Sequence, residues 1–371
     1  MVKICYIAIG DRLHSAGITV PISYFKASAK VGDECIFISV SRNPALNRRL
    51  ADTVGKENFV ATSKLTDCFD IVKDLGPNFV FSMDFIGELK VMREIKKRLH
   101  ISTIVALSAL YGITLLKYSQ ITPSLPISSK LKFLGGKYLP LPFSVISRRY
   151  CDLMRCTDYV IAFSSLLESA SKLIYGINSQ AIIPIPIDTL HFSEPHQPNR
   201  NNSILAYVGN KTDHIDAERK ALILKKVASY GIPIKLLGDL EIAQHLKKRI
   251  NRTDVEVMGE VERDELPKIY GSSAWTYVMS EWEGFGLVGP ESVLCGTPVI
   301  QNEYHGWIEI TGESTAVRVA RSSNDAIFTL SRPMENHLDI AAASKKLRQE
   351  LNYHAIGLRL KKMLGDSSLN M

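Results

Sequence analysis

Two successive α/β domains, each a parallel sheet covered by helices, are what this sequence predicts, and three observations carry the prediction. The chain has 371 residues, more than one hydrophobic core usually serves. Short apolar runs alternate with stretches of helical periodicity in two series, one ending near 183 and one starting at 203. Between them, residues 194–203 read E-P-H-Q-P-N-R-N-N-S, polar and proline-bearing as linkers are. The expected domains are therefore 1–193 and 203–336, with 337–371 a helix crossing back to brace the first.

Each element has a local signal. Residues 2–9 form a continuous apolar run, the mark of a strand buried on both faces. The run is too short for a secretory leader, and Asp11-Arg12 follows it without a small-residue cleavage site. A loop at 10–17 leads to a helix at 18–30, and Gly32-Asp33 turns the chain into a strand at 34–40. Further strands are expected at 79–81, 103–107, 159–163 and 181–183, with helices at 88–99 and 166–174. The second series places strands at 204–208, 234–237, 255–258, 274–279 and 299–300. Between the last two, Pro290 suits the first turn of a helix at 289–295, Gly296 its C-terminal cap and Pro298 its stop. Residues 337–364 read as one helix.

Composition excludes several classes. Hydrophobic content of 46% with 22% charged residues is ordinary for a globular protein, and no apolar stretch approaches the ~20 residues of a membrane helix. The net charge of +7 is concentrated in 113–155, where seven basic residues meet one acid, Asp152. The remainder is near neutral, which argues against nucleic-acid binding. Six cysteines form no C-x-x-C pair, as expected for reduced thiols in the cytoplasm. Histidines lack metal-ligand spacing and there is no D-x-D pair, so no metal and no other cofactor is expected.

The chemistry is expected at 274–309. A strand runs into Glu283-Gly284-Phe285-Gly286, where glycines let the backbone approach a ligand. A helix N-terminus follows, so amides around Gly286, Leu287 and Val288 would face an anion. Two acids flank that loop, Glu283 and Glu291. A diphosphate between two hydroxyl-rich rings suits such a site, one carboxylate holding a ribose and the other a sugar. The bland alternative for Glu291 is that it complements the helix dipole.

The string E-G-F-G-L, the second Glu eight positions on and the following C-G-T-P-V-I resemble the E-x7-E signature of glycosyltransferase family 4, retaining enzymes of GT-B fold. The resemblance is dense over 204–309, visible at 158–192 and thin before that. It implies two Rossmann-like domains facing a central cleft, with the donor bound by the second and the acceptor by the first. It implies a nucleoside diphosphate sugar as co-substrate, a hydroxyl acceptor (glycan, glycolipid or lipid-linked precursor) and no metal. By the same resemblance Glu283 and Lys220 are the catalytic candidates, Glu283 positioning sugar hydroxyls and Lys220 meeting the diphosphate. Gly17, Lys211, Arg219, Phe285, Gly286, Leu287, Val288 and Glu291 are the donor-binding candidates. Asn210 stands where the family has Arg, leaving Lys211 or Arg219 as substitutes. Gly238-Asp239 and Gly259-Glu260-Val261 resemble the family's turns near the nucleotide, and Gly306 and Glu309 its G-G-x-x-E. The family's His after the fourth strand is absent, and Ser108 or Tyr111 stands nearby.

Three readings stay open: the transferase, a nucleotide-sugar epimerase of the same fold, and a non-catalytic subunit that binds nucleotide sugar. In 113–155, cations interleave with Leu131, Phe133, Leu134, Tyr138 and Phe143. Peripheral docking of a cytoplasmic enzyme on the anionic inner membrane surface is one expectation for it. A solvated loop and helix packed on the sheet is the other.

Overall fold

A computed structural model describes residues 1–10, 16–107, 143–193, 202–209, 217–332 and 337–368. The chain separates into two compact units, one built from described residues up to Ile187 and from Leu351 onward, the other from Asp188 to Glu350.

The first unit holds seven parallel strands: β1 Lys3–Ile9, β2 Glu34–Val40, β3 Phe59–Thr62, β4 Phe79–Met83, β5 Ser102–Ala106, β6 Tyr159–Ala162 and β7 Ala181–Ile182. Their order is β3-β2-β1-β4-β5-β6-β7, the Rossmann order, so the sheet reverses direction of growth between β1 and β4. β1 is buried from Ile4 to Ala8, which explains its unbroken apolar run. Its Tyr6 stays in the core because its hydroxyl pairs with Ser28 Oγ at 2.6 Å. Tyr24 does likewise, donating to the Ile183 carbonyl at 2.6 Å. β3 escapes the sequence reading because it is a four-residue edge strand with no buried residue.

The predicted single C-terminal helix is two, His337–Leu351 and Tyr353–Ser368. The break has a local cause: Asn352 Oδ1 accepts the Ala355 N–H at 2.9 Å, as an N-cap does. The first helix belongs to the second unit and the next packs on Ala16–Lys30 of the first. There Gly357 lies so close to the Ala27 carbonyl that no Cβ would fit.

The second unit has six parallel strands: β8 Ile204–Tyr207, β9 Ile234–Leu237, β10 Val255–Gly259, β11 Trp275–Val278, β12 Val299–Gln301 and β13 Val317–Val319. They follow the same order, β10-β9-β8-β11-β12-β13, with the reversal between β8 and β11. Ile204, Leu224, Leu236, Leu246 and Ile300 form the core with none of their surface exposed. Each such side chain contributes roughly 1.5–3 kcal/mol on leaving water. β13, three residues with only Val317 buried, carries too little pattern to predict. Two parallel α/β sheets of Rossmann type match the expected fold class. No described helix is long and apolar enough to cross a membrane. The linker at 194–201, Ser108, Tyr111 and most of the basic segment lie outside the described residues.

Candidate functional site

In open α/β sheets, ligands bind beyond the carboxyl ends of the strands where growth reverses, here between β8 and β11. On one side of that point β10 ends in a glycine and β8 and β9 are followed by one within two residues. Gly209, Gly238 and Gly259 have φ of +80°, +124° and +70°, a region that side chains other than glycine's avoid. Gly238 donates to the Gly259 carbonyl at 2.9 Å, and Asp239 donates its N–H to Gly209 at 3.1 Å. A Cβ on Gly238 would stand 2.8 Å from the Gly209 oxygen, so only glycine lets these turns close.

On the other side, β11 leads into the Glu283 loop, which a second segment clamps from below. Glu283 donates its N–H to the Tyr304 carbonyl at 2.9 Å and accepts from Gly306 at 3.2 Å. Trp307 donates its N–H to the Phe285 carbonyl at 3.2 Å. Gly286, at φ +85°, leaves only 3.1 Å between an added Cβ and Glu283 Cβ. The fully buried Trp307 ring fills the space under Gly289, where a Cβ would overlap it. The indole N–H of Trp307 donates to Gln301 Oε1 at 3.1 Å. His305 Nε2 lies 3.1 Å from the Ser280 carbonyl, so that nitrogen carries the proton. The loop backbone is thus held by hydrogen bonds at Glu283 and Phe285, with the Glu283 side chain half-buried. Phe285 is buried, while Gly286, Leu287 and Val288 are half-buried at the head of the helix Val288–Leu294.

Glu291 lies on that helix with a side chain only 3% exposed. Arg263 donates to its Oε1 at 2.8 Å, and Tyr270 reaches Oε2 at 3.4 Å. Arg263 also stacks over the Phe192 ring, 5.0 Å from its centroid. Burial pushes the Glu291 carboxyl up from its ordinary range, against the pull of Arg263 and Tyr270. Glu291 therefore has a dedicated cation, a partner the sequence reading missed. Arg263 follows the Gly259-Glu260-Val261 turn by two residues, and that position was its only signal.

Lys220 is buried on the helix Ala217–Ala228, which follows β8. Its neighbour Arg219 donates to Glu281 Oε1 at 2.6 Å, reaching the loop after β11. The structure so brings together Glu283, Phe285, Gly286, Leu287, Val288 and Glu291 on one loop and helix, with Arg219 tied to the same strand end. Lys211 and Asn210 fall outside the described residues. Gly17, expected in a loop, lies in the first turn of the helix Ala16–Lys30 of the first unit, where a Cβ would stand 2.5 Å from the Ile9 carbonyl. Among the described residues no group of three His, Cys, Asp or Glu side chains converges to hold a metal.

Residues 201–328 match the family model of glycosyl transferases group 1, a stretch within the second unit. Among solved structures, sucrose-phosphate synthase from Thermosynechococcus elongatus superposes with a TM-score of 0.73 at 15% identity, covering 100% of both chains. HepE from Anabaena, in complex with UDP-glucose, gives 0.71 at 14% identity over 99% of this chain and 100% of that one. A glycosyltransferase from Rickettsia africae gives 0.67 at 14% over 98% of each. No curated protein sequence matches the chain. The fold is thus that of GT-B proteins, two Rossmann-like domains, and the group 1 match supports a glycosyltransferase.

Proposed function

We propose that the chain is a retaining glycosyltransferase of family 4 type, moving a sugar from a nucleoside diphosphate donor to a hydroxyl acceptor without a metal. The observation that carries this is the meeting of three strand-end glycines with the clamped Glu283 loop at the reversal point of a sheet whose sequence matches glycosyl transferases. The HepE structures with UDP and UDP-glucose support a nucleotide sugar as the donor here.

In this reading the bond from the sugar's anomeric carbon to the diphosphate breaks, and the acceptor oxygen bonds to that carbon on the same face. A diphosphate oxygen takes the acceptor's proton, and nucleoside diphosphate leaves. Charge grows on the leaving group, so a preorganised cation and amides aimed at it lower the barrier. Lys220 and the amides at 286–288 take that role, with Lys211 or Arg219 assisting. Glu283 holds the sugar hydroxyls in place. Glu291 holds the ribose through its second oxygen while Arg263 holds the first, since a carboxylate accepts several hydrogen bonds. The first domain takes the acceptor.

The test is turnover in EDTA, with the linkage of the product read by NMR. Retained anomeric configuration and undiminished rate are expected; inversion or an absolute metal requirement would refute the mechanism. A second reading, a non-catalytic subunit that binds nucleotide sugar, draws support from the burial of Glu291 against Arg263, and an absence of turnover with intact donor binding would favour it. We place the protein in the cytoplasm, with 113–155 docking on anionic membrane to reach a lipid-linked acceptor. Vesicle sedimentation that ignores salt, or no binding at low salt, would remove that part.

A further inference from the structure

The second unit opens with residues 188–192, a short segment that turns back onto the residues around Glu291. Asp188 makes the turn: its Oδ1 accepts the His191 N–H at 3.1 Å, and its carbonyl accepts the Phe192 N–H at 3.1 Å. Two consecutive side chains, His191 and Phe192, are thereby delivered to one residue, Arg263. The Arg263 guanidinium lies over the Phe192 ring, 5.0 Å from its centroid. The Arg263 carbonyl stands 3.3 Å from His191 Nε2. A carbonyl only accepts, so that ring nitrogen donates.

The same segment is tied to the helix that carries Glu291. Arg348 bridges the two, donating to the Thr189 carbonyl at 3.0 Å and to the Leu294 carbonyl at 3.3 Å. The second contact falls on the last turn of the helix Val288–Leu294, where carbonyls lack helical partners and a cation suits the dipole. Cys295, just past that helix, directs its thiol at the Phe192 carbonyl, 3.6 Å away. Phe192 is fully buried, and its ring meets that of Tyr270 with 6.3 Å between centroids. Arg263 and Tyr270 are the two residues that reach the Glu291 oxygens, so Phe192 packs against both.

Filling the core would ask no more of position 192 than an aliphatic side chain of the right size. A ring does more, because a planar guanidinium stacks on an aromatic face, and that fixes the direction of its N–H groups. Arg263 needs such a hold: its side chain is 32% exposed, and a long side chain partly in water has many rotamers. The Phe192 ring fixes the guanidinium while His191 fixes the backbone it grows from. The N–H aimed at Glu291 Oε1 then has one direction, and the carboxylate has one plane. Arg263 and Tyr270 take about two of its four acceptor positions, which leaves the others for a ligand.

We propose that His191 and Phe192 are positioning residues for the nucleotide end of the donor, holding Arg263 so that the Glu291 carboxylate faces the ribose hydroxyls. The proposal rests on the reading that Glu291 holds the ribose; the network itself rests on the contacts of 188–192 with Arg263 and the Glu291 helix. Phe192, fully buried, acts through Arg263 and not on the ligand. Its effect on binding is therefore confined to what Glu291 contributes.

The full-length protein is to be titrated calorimetrically with UDP, GDP, ADP and CDP, each beside its 2′,3′-dideoxy analogue. The ratio of the two affinities isolates the ribose hydroxyls. In wild type at least one diphosphate should bind about tenfold or more tighter than its analogue, the effect of one charge-assisted hydrogen bond. Glu291→Ala should bring the ratio near one. Phe192→Leu, which keeps an apolar side chain without a flat face, should lower it to about threefold or less, and so should His191→Leu. His191→Gln keeps an N–H to donate but carries no charge, and it should restore the wild-type ratio. Affinity for the dideoxy analogue should stay within about twofold throughout. Should Phe192→Leu fail to fold, the two variants of the partly exposed His191 decide the matter. An unchanged ratio in Phe192→Leu and His191→Leu, with the ratio lost in Glu291→Ala, would overturn the positioning role and leave the ribose reading standing. Equal losses for diphosphate and analogue would show general damage to the unit and overturn it as well. Wild type that binds a diphosphate and its analogue alike would remove the ribose role of Glu291 and this proposal with it. Binding of no diphosphate at all would remove the donor reading and both.

Discussion

The guanidinium of Arg263 donates to Glu291 Oε1 at 2.8 Å, and Glu291 is one of the most deeply buried acids of its unit. A buried pair is worth little against an apolar replacement, but breaking one side leaves a charge stranded. Arg263→Leu should therefore destabilise the protein by about 3–5 kcal/mol at neutral pH. The penalty has a sign in pH. Burial already raises the Glu291 pKa, and removing Arg263 raises it further. A carboxyl with a raised folded pKa contributes stability below its unfolded pKa and loses it as pH rises through the folded value. Denaturation of the variant should thus approach wild type as pH falls toward about 4, and a pH-independent gap would rule out a stranded charge.

Glu291→Ala separates ligand binding from that structural role. If the second carboxylate oxygen holds a ribose, affinity for nucleoside diphosphate and for the full donor should fall equally, by about 1–3 kcal/mol. Equal affinity in a folded variant would leave Glu291 as a partner of Arg263 and Tyr270 only.

Glu283 is expected to behave differently, because the proposal has it hold the sugar rather than the nucleotide. Glu283→Gln should slow turnover by roughly 10²-fold while sparing nucleoside diphosphate affinity. Weaker nucleotide binding with a nearly normal rate would reverse the roles of the two acids.

Glu88 offers a test in the first unit. Its Oε2 accepts the Met83 N–H at 2.7 Å, while Oε1 has no partner. Burial, with Asp84 adding repulsion, holds its carboxyl well above the usual range, and the Met83 bond only partly offsets this. The folded state therefore keeps this proton where the unfolded state, with a pKa near 4.3, has lost it. Stability should decline from there upward until the folded pKa is passed. Glu88→Gln keeps the shape without the charge, so its advantage over wild type should grow as pH rises above about 5. A difference in denaturation midpoints that stays constant from about pH 5 upward would contradict the burial argument.

The sequence was informative where structure is local or continuous. β1 and β2 stand out as apolar runs, and the Glu283 loop as glycines between a strand and a helix. The glycines at 238 and 259 were visible too, but not that the first donates to the second. Arg263 and Tyr270 were invisible as partners of Glu291 because they lie 28 and 21 residues away along the chain. Edge strands β3 and β13 escaped because half-exposed strands of three or four residues leave no alternation to detect. The split of the last helix turned on one residue, Asn352, whose capping bond competes with helix continuation.

The central claim is that the second unit binds a nucleoside diphosphate sugar through Lys220 and the clamped loop. Calorimetric titration with a panel of nucleoside diphosphates and their sugars, on wild type and Lys220→Met, tests it most directly. Methionine fills the buried space without the charge. The account predicts that at least one nucleotide sugar binds wild type and that Lys220→Met lowers its affinity tenfold or more, as expected for a charge-assisted contact of about 1.5–3 kcal/mol. The bare nucleoside should be affected far less. A panel in which nothing binds, or a Lys220→Met variant that binds the diphosphate as tightly as wild type, would contradict it.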